Sequence, residues 1–231
     1  MSPQLALKRL SNKNRAKISV SFFKTGPGQY GEGDIFMGVS VPETRRVAKQ
    51  FSKLSLLEVK KLLQSKIHEE RLLALLILVE QFNHGGSQTR TKIFNFYQQN
   101  IKQVNNWDLV DLSADKIVGA YLLDKPKDWL DVLAKSKNLW ERRIAIVSTF
   151  YFIKQNKFDK TFALAEILLN DTHDLIHKAV GWMLREIGKR NELVLEKFLN
   201  KHYQQMPRTM LRYAIERLEE NKRLAYLKNN I

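Results

Sequence analysis

The chain has 231 residues, 44% of them hydrophobic and 10% aromatic, which is enough apolar material for a core and too much for a disordered tail. There are 39 Lys and Arg against 24 Asp and Glu, a net charge of +15 with His neutral, and self-repulsion on that scale favours a polyanionic partner, nucleic acid above all. Cysteine is absent, which excludes disulfides, thiolate nucleophiles, iron–sulfur clusters and Cys-ligated zinc.

Helical periodicity runs almost end to end and strand alternation is missing, so the chain reads as all-α. Pro3, Pro27, Pro42, Pro126 and Pro207 stand where helices begin or the chain turns. In chain order the pattern predicts helices over 3–23, 42–51, 55–65, 68–83, 87–103, 106–122, 127–135, 139–155, 158–169, 173–190, 193–205 and 207–228. The glycines of Thr25-Gly-Pro-Gly-Gln-Tyr-Gly-Glu-Gly-Asp34 separate the first helix from the rest. That loop lacks the Lys-Ser/Thr of a phosphate-binding loop and no strand precedes it, so it reads as a connector.

A basic residue followed three positions later by a small one recurs at Arg71/Ala74, Arg142/Ala145 and Lys178/Gly181, with a further small residue at Ala214. The small residues are 71, 36 and 33 positions apart, which fits a helix-pair repeat of about 35 residues. Residues 1–231 are thus expected to form a single right-handed α-solenoid domain, with 1–34 as its N-terminal helix and Gly-rich loop. Stacked repeats curve to leave an extended concave surface, here basic.

The longest apolar run, Leu72 to Val79, has eight residues, far fewer than the roughly 18 needed to cross a membrane. The first residues lack the basic and apolar segments of a secretory signal. A cytoplasmic location, no membrane attachment and a monomer are expected.

Three stretches carry candidate chemistry. In Asn106-Trp-Asp-Leu-Val-Asp111, Trp107 and Asp111 are four apart and share a helix face. Asp108, Asp111 and Asp115 form an overlapping acidic stripe, in which Asp108 and Asp115 read as solvated or capping residues. Spacing alone leaves Asp111 open between surface and active carboxylate. From Asp171 onward, Asp171 or Thr172 caps a helix with a core stripe of Ile176, Ala179, Val180, Met183 and Ile187. Lys178, Trp182, Arg185 and Lys189 run beside that stripe, an aromatic set among cations of the kind that meets sugar or base between two phosphates. A Trp182 at the core edge covered by basic stems fits the same spacing. His173 and His177 have the spacing of a zinc-binding pair, but no third ligand stands out, and two ordinary histidines at a helix start are expected. In Asn138-Leu-Trp-Glu-Arg-Arg-Ile-Ala-Ile146, Trp140, Ile144, Val147 and Tyr151 make a buried stripe bordered by Arg143. Arg45, Arg46, Arg208 and Arg212 are further cations able to reach phosphate.

These stretches resemble the DNA alkylation repair family of HEAT-like-repeat glycosylases from about Phe36 to Leu218. Phe36-Met-Gly-Val-Ser-Val-Pro-Glu-Thr-Arg-Arg46 is similar to the family's Gly-Val-x-x-Pro-x-x-Arg opening, and Trp107-Asp-Leu-Val-Asp111 to its Trp-Asp-x-Val-Asp block. Leu139-Trp-Glu-Arg-Arg-Ile-Ala-Ile146 resembles its Trp-x-x-Arg block, and Lys178-Ala-Val-Gly-Trp-Met-Leu-Arg-Glu186 its Lys-Ala-Ile-Gly-Trp-x-Leu-Arg-Glu block.

The resemblance implies HEAT-like repeats and a catalytic set of Asp111, Trp107, Trp182 and Arg143. It implies excision of N3- and N7-alkylated purines from duplex DNA without a base-flipping pocket, and no cofactor or metal. Arg45, Arg46, Lys178, Arg185, Lys189, Arg208 and Arg212 are the expected DNA contacts. Where some members carry two tryptophans before the Asp, this chain has Asn106, which makes a less apolar cleft wall and a different lesion preference expected. Two other readings compete: a non-catalytic relative that binds damaged or branched DNA, disfavoured by the presence of Asp111, and a peptide-binding scaffold, disfavoured by the +15 charge.

Overall fold

In a computed structural model, residues 1–228 are described, and every regular element among them is helical. A lone parallel bridge joins Ile35 to Ile67. The helices group into two compact units, residues 1–113 and the chain from Ala114 onward.

The first unit contains α1 (Pro3–Lys8), α2 (Lys13–Phe22), α3 (Val41–Gln50), α4 (Leu56–Leu63), α5 (His68–His84), α6 (Ser87–Gln99), a 3-10 turn (Ile101–Gln103) and α7 (Trp107–Asp111). The helix expected over 3–23 is two helices, because Asn12 caps a new start: its side chain accepts from Arg15 N–H at 3.0 Å, while its own N–H binds the Met37 carbonyl at 2.9 Å. Glu43 accepts from the Ser40 N–H at 2.8 Å and Glu58 from the Ser55 N–H at 2.9 Å, so each carboxylate closes a helix start reciprocally. The apolar run in α5 is buried on every side, which makes this helix the centre of the unit.

Before α3 the chain passes over α5 in a tight turn. Glu69, 3% exposed, accepts from the N–H groups of Met37, Gly38 and Val39, the shortest being Gly38 at 2.7 Å. Gly38 has φ +76°, and a Cβ there would lie 2.2 Å from the Asn12 carbonyl oxygen, so only glycine fits.

The second unit contains a π-helix (Asp115–Gly119), α8 (Ala120–Leu122), α9 (Asp128–Ala134), α10 (Leu139–Ser148), α11 (Phe150–Lys154), α12 (Asp159–Ile167), α13 (Asp174–Gly188), α14 (Glu192–His202), α15 (Arg208–Ala214) and α16 (Glu220–Lys228). Its hub is α13, whose stripe of Ile176, Ala179, Val180, Met183 and Ile187 is fully buried, as the periodicity predicts. A Cβ on Gly181 would meet the Met210 carbonyl oxygen at 2.5 Å, so that glycine lets α15 approach the α13 backbone.

Three further long predicted helices are interrupted. The one over 106–122 breaks after Asp111, where the Ser113 hydroxyl donates to the Leu109 carbonyl at 2.5 Å. The one over 139–155 breaks where Ser148 and Thr149 donate to the Ile144 and Ile146 carbonyls at 2.6 and 2.7 Å. Such side chains compete with the backbone ladder and bend it. Between α15 and α16 the chain leaves the helix while burying Ile215 and Leu218, an exchange driven by packing that periodicity does not reveal.

Candidate active site

The short helix α7 displays Trp107 and Asp111, both partly exposed, and is anchored from beneath. Asn106, fully buried, accepts from the Trp107 N–H at 2.8 Å and donates its amide to Asp34 Oδ2 at 3.1 Å. Asp108, 5% exposed, accepts from His68 Nε2 at 2.8 Å, and His68 Nδ1 donates to Asp34 Oδ2 at 3.1 Å. Arg71 donates to Asp34 Oδ1 at 2.6 Å and to the Ser65 carbonyl at 3.0 Å. Two carboxylates, one imidazole and one guanidinium therefore share a buried cluster on which α7 rests.

The electrostatics of the cluster are set by pairing. Burial by itself would lower the pKa of His68, but Asp108 and Asp34 outweigh it and push it up to about 9. Burial likewise opposes ionisation of Asp34, and the hydrogen bond from His68 together with Arg71 and Asn106 holds its carboxyl below the ordinary value. The His68 ring stacks on Phe36 at 4.7 Å between centroids and meets Phe23 at 4.9 Å. Phe23 also stacks on Trp107, 5.2 Å away with planes 14° apart, and Phe22 meets Trp107 edge-on at 5.7 Å. A cavity of about 270 Å³ beside this stack is lined by Ile18, Phe22, Phe23, Phe36, His68 and Asp108, among others.

Several sequence expectations are corrected here. Asp108 is not on a solvated face but is bonded to His68. Asp115 is 2% exposed and accepts from Lys154 Nζ at 2.7 Å and Lys116 Nζ at 3.1 Å. Charges so buried persist only when paired, which an acidic stripe in the sequence does not disclose. Asn106 lies within the anchor rather than on a surface wall. The Gly-rich segment is more than a connector, since it delivers Asp34 to the cluster. The α13 cap is His173 rather than Asp171 or Thr172: its Nδ1 accepts from Leu175 N–H at 3.1 Å, while Asp171 accepts from the His173 N–H at 2.8 Å. Burial lowers the His173 pKa, consistent with the neutral ring that this acceptor role requires. His177 donates through Nε2 to the Asp171 carbonyl, so both histidines serve the helix start.

Within the second unit, Arg143 is 5% exposed on α10 and donates to the Leu175 carbonyl. Trp182 on α13 is partly exposed, its ring 5.5 Å from Phe150, over which Lys154 Nζ lies at 4.3 Å. The cations flanking Trp182 are engaged with acids: Lys178 with Asp174 at 2.6 Å, Lys189 with Glu186 at 2.6 Å, and Arg185 with Glu216. Arg208 is exposed and donates to the Leu227 carbonyl at 2.7 Å. Arg45, Arg46 and Arg212 are exposed. Among the described residues no group of three or more His, Asp or Glu side chains is arranged to hold a metal ion, and no helix is long and apolar enough to cross a membrane.

Asp34, His68 and the Phe22–Phe23 pair were missed by the sequence reading. Their only sequence signal is indirect: a carboxylate ending a glycine loop, and His68 one helical turn before Arg71.

Fold and residues together define an all-α protein of stacked helix pairs that displays a tryptophan and a carboxylate on one short helix. The chain matches the DNA alkylation repair enzyme family over residues 4–218 and belongs to it. A solved structure described as a predicted DNA alkylation repair enzyme from Enterococcus faecalis shares the fold with a TM-score of 0.71 at 18% identity, over 91% of this chain and 97% of that one. Curated protein sequences give no match.

Proposed function

We propose that this protein is a DNA glycosylase that hydrolyses the N-glycosidic bond of N3- and N7-alkylated purines in duplex DNA. The observation that carries the reading is α7 itself: a partly exposed tryptophan and carboxylate four residues apart, on a turn held by a buried charge cluster. Alkylation at N3 or N7 makes the purine a cationic leaving group. As the bond from C1′ to the base breaks, its electron pair neutralises the purine and positive charge develops on the deoxyribose. Water then adds to C1′ and gives up a proton. The transition state resembles the oxocarbenium ion of glycoside hydrolysis and needs no general acid.

Asp111 stabilises that charge and orients the water, and the indole face of Trp107 offers cation–π stabilisation. Trp182 and Arg143 enter this set through the family resemblance, Trp182 as a second indole face and Arg143 as the cation that favours an ionised carboxylate. A carboxylate about 4 Å from a unit positive charge in a partly shielded site contributes roughly 4 kcal/mol, about a thousandfold in rate. Exposed Arg45, Arg46 and Arg212 are available to phosphates, as are Lys178, Arg185 and Lys189, whose partly exposed ion pairs are weak enough to be exchanged.

Release of free 7-methylguanine from a methylated duplex, measured chromatographically with wild-type protein and Asp111→Asn, tests the assignment. Binding without release, unchanged in the variant, would replace it with the reading of a non-catalytic protein that recognises damaged or branched DNA.

A further inference from the structure

Helix α7 spans five residues, little more than one turn, and a helix that short has no stability of its own in water. Its orientation is imposed by what grips it, and the grip converges on His68. That ring reaches α7 by two routes: directly through Asp108, and through Phe23, which contacts the His68 ring and stacks on Trp107. We propose that His68 is a positioning residue which, by bridging Asp34 and Asp108, fixes the helical turn that presents Trp107 and Asp111.

The charge state follows from geometry. Ionised carboxylates only accept hydrogen bonds, and each His68 nitrogen faces one, so both nitrogens donate and the ring is an imidazolium. The charged groups facing it are Asp34 from the glycine loop, Arg71 from its own helix and Asp108 from α7, with Phe23 and Phe36 against the ring. Asp34 and Asp108 balance His68 and Arg71, while Glu69 is held by the backbone N–H groups of residues 37–39. Loss of the His68 proton leaves one carboxylate against a lone pair and a net negative cluster, which releases α7 from its orientation. The indole–benzyl–imidazole stack transmits the same change to Trp107.

This inference rests on the glycosylase reading for its catalytic consequence, and its test separates the two. Single-turnover release of 7-methylguanine is measured at saturating protein for wild type, His68→Gln, Asp111→Asn and the double variant. His68→Gln is expected to lose at least about 10-fold in rate with DNA affinity within about threefold, because positioning acts on the transition state rather than on phosphate binding. The double variant should be slower than Asp111→Asn alone by much less than His68→Gln is slower than wild type, since only Trp107 then remains to be positioned. Additive losses, or a wild-type rate in His68→Gln, would overturn the proposal.

Should His68→Gln fail to fold, the wild type decides by NMR between about pH 6.5 and about pH 10, which brackets the titration of the His68 imidazolium near pH 9. The Trp107 indole N–H signal, assigned with Trp107→Phe, should shift with the same midpoint as the His68 ring. A Trp107 signal indifferent to that titration would overturn the proposal. A wild type that binds methylated DNA without releasing base defeats the glycosylase reading, and the NMR measurement, which needs no substrate, then decides the positioning role.

Discussion

The starts of α5 and α10, one in each unit, solve the same problem in different ways. Arg71 donates to the Ser65 carbonyl, six residues back, and to Asp34; Arg142 donates to the Ser136 carbonyl, also six residues back, and to Asp171. The two arginines are 71 positions apart, as are the two serines, so the repeat inferred from small residues extends to a helix-start clip. Where α5 has His68, α10 has Leu139, and the second clip stays a simple ion pair. In the first unit His68 and Asp108 extend the clip into a buried cluster that reaches α7. One repeat element has thus remained a fastening, while its counterpart supports the residues proposed to carry chemistry.

The largest expected effect breaks the richer clip. Asp34→Asn leaves Asp108 as the one carboxylate against the buried cations Arg71 and His68, so one buried positive charge is uncompensated, and the expected cost is about 3–5 kcal/mol of unfolding free energy, read from urea denaturation. Asp111→Asn should lower single-turnover excision by at least about 100-fold, with fold and DNA affinity retained, because it removes charge stabilisation needed mainly in the transition state. Equal rates in variant and wild type would remove Asp111 from the mechanism. Asp171→Asn, which weakens the simpler clip, should cost only about 1–2 kcal/mol and leave excision unchanged. An excision defect there comparable to that of His68→Gln would erase the contrast between the two regions.

Acidity sharpens the same comparison. His68 is raised from 6.5 to about 9 in the folded chain, so its contribution to stability is fully present below about pH 6.5 and is lost as pH rises through about 9. The shift corresponds to roughly 3 kcal/mol, and a urea series across that window should show the decline in wild type but not in His68→Gln. Asp34, whose pKa is lowered, works in the opposite sense: its contribution is present above the ordinary carboxylate pKa and is lost as pH falls below it. The smallest effects concern the surface. Log K for duplex DNA should fall with log[salt] with a slope of about −4 to −6, reflecting roughly five or six phosphate contacts, and a flat dependence would return a peptide-binding scaffold to consideration.

The sequence by itself determined the helical class, most helix starts and most of the core stripes, Tyr151 being partly exposed where a buried position was expected, because capping and apolar periodicity are local properties written within a few residues. The α13 stripe and the pairing of Trp107 with Asp111 on one helix face were legible for that reason. Only the tertiary structure decided the roles of Asp34, His68, Asn106 and Asp108. Asp34 and Asp108 are 74 positions apart, and whether a carboxylate is solvated or buried depends on a partner brought to it by folding. The breaks after Asp111 and Ser148 were hidden for a related reason: a serine in a helical pattern either faces solvent or turns back on its own carbonyls, and the packing around it selects between them.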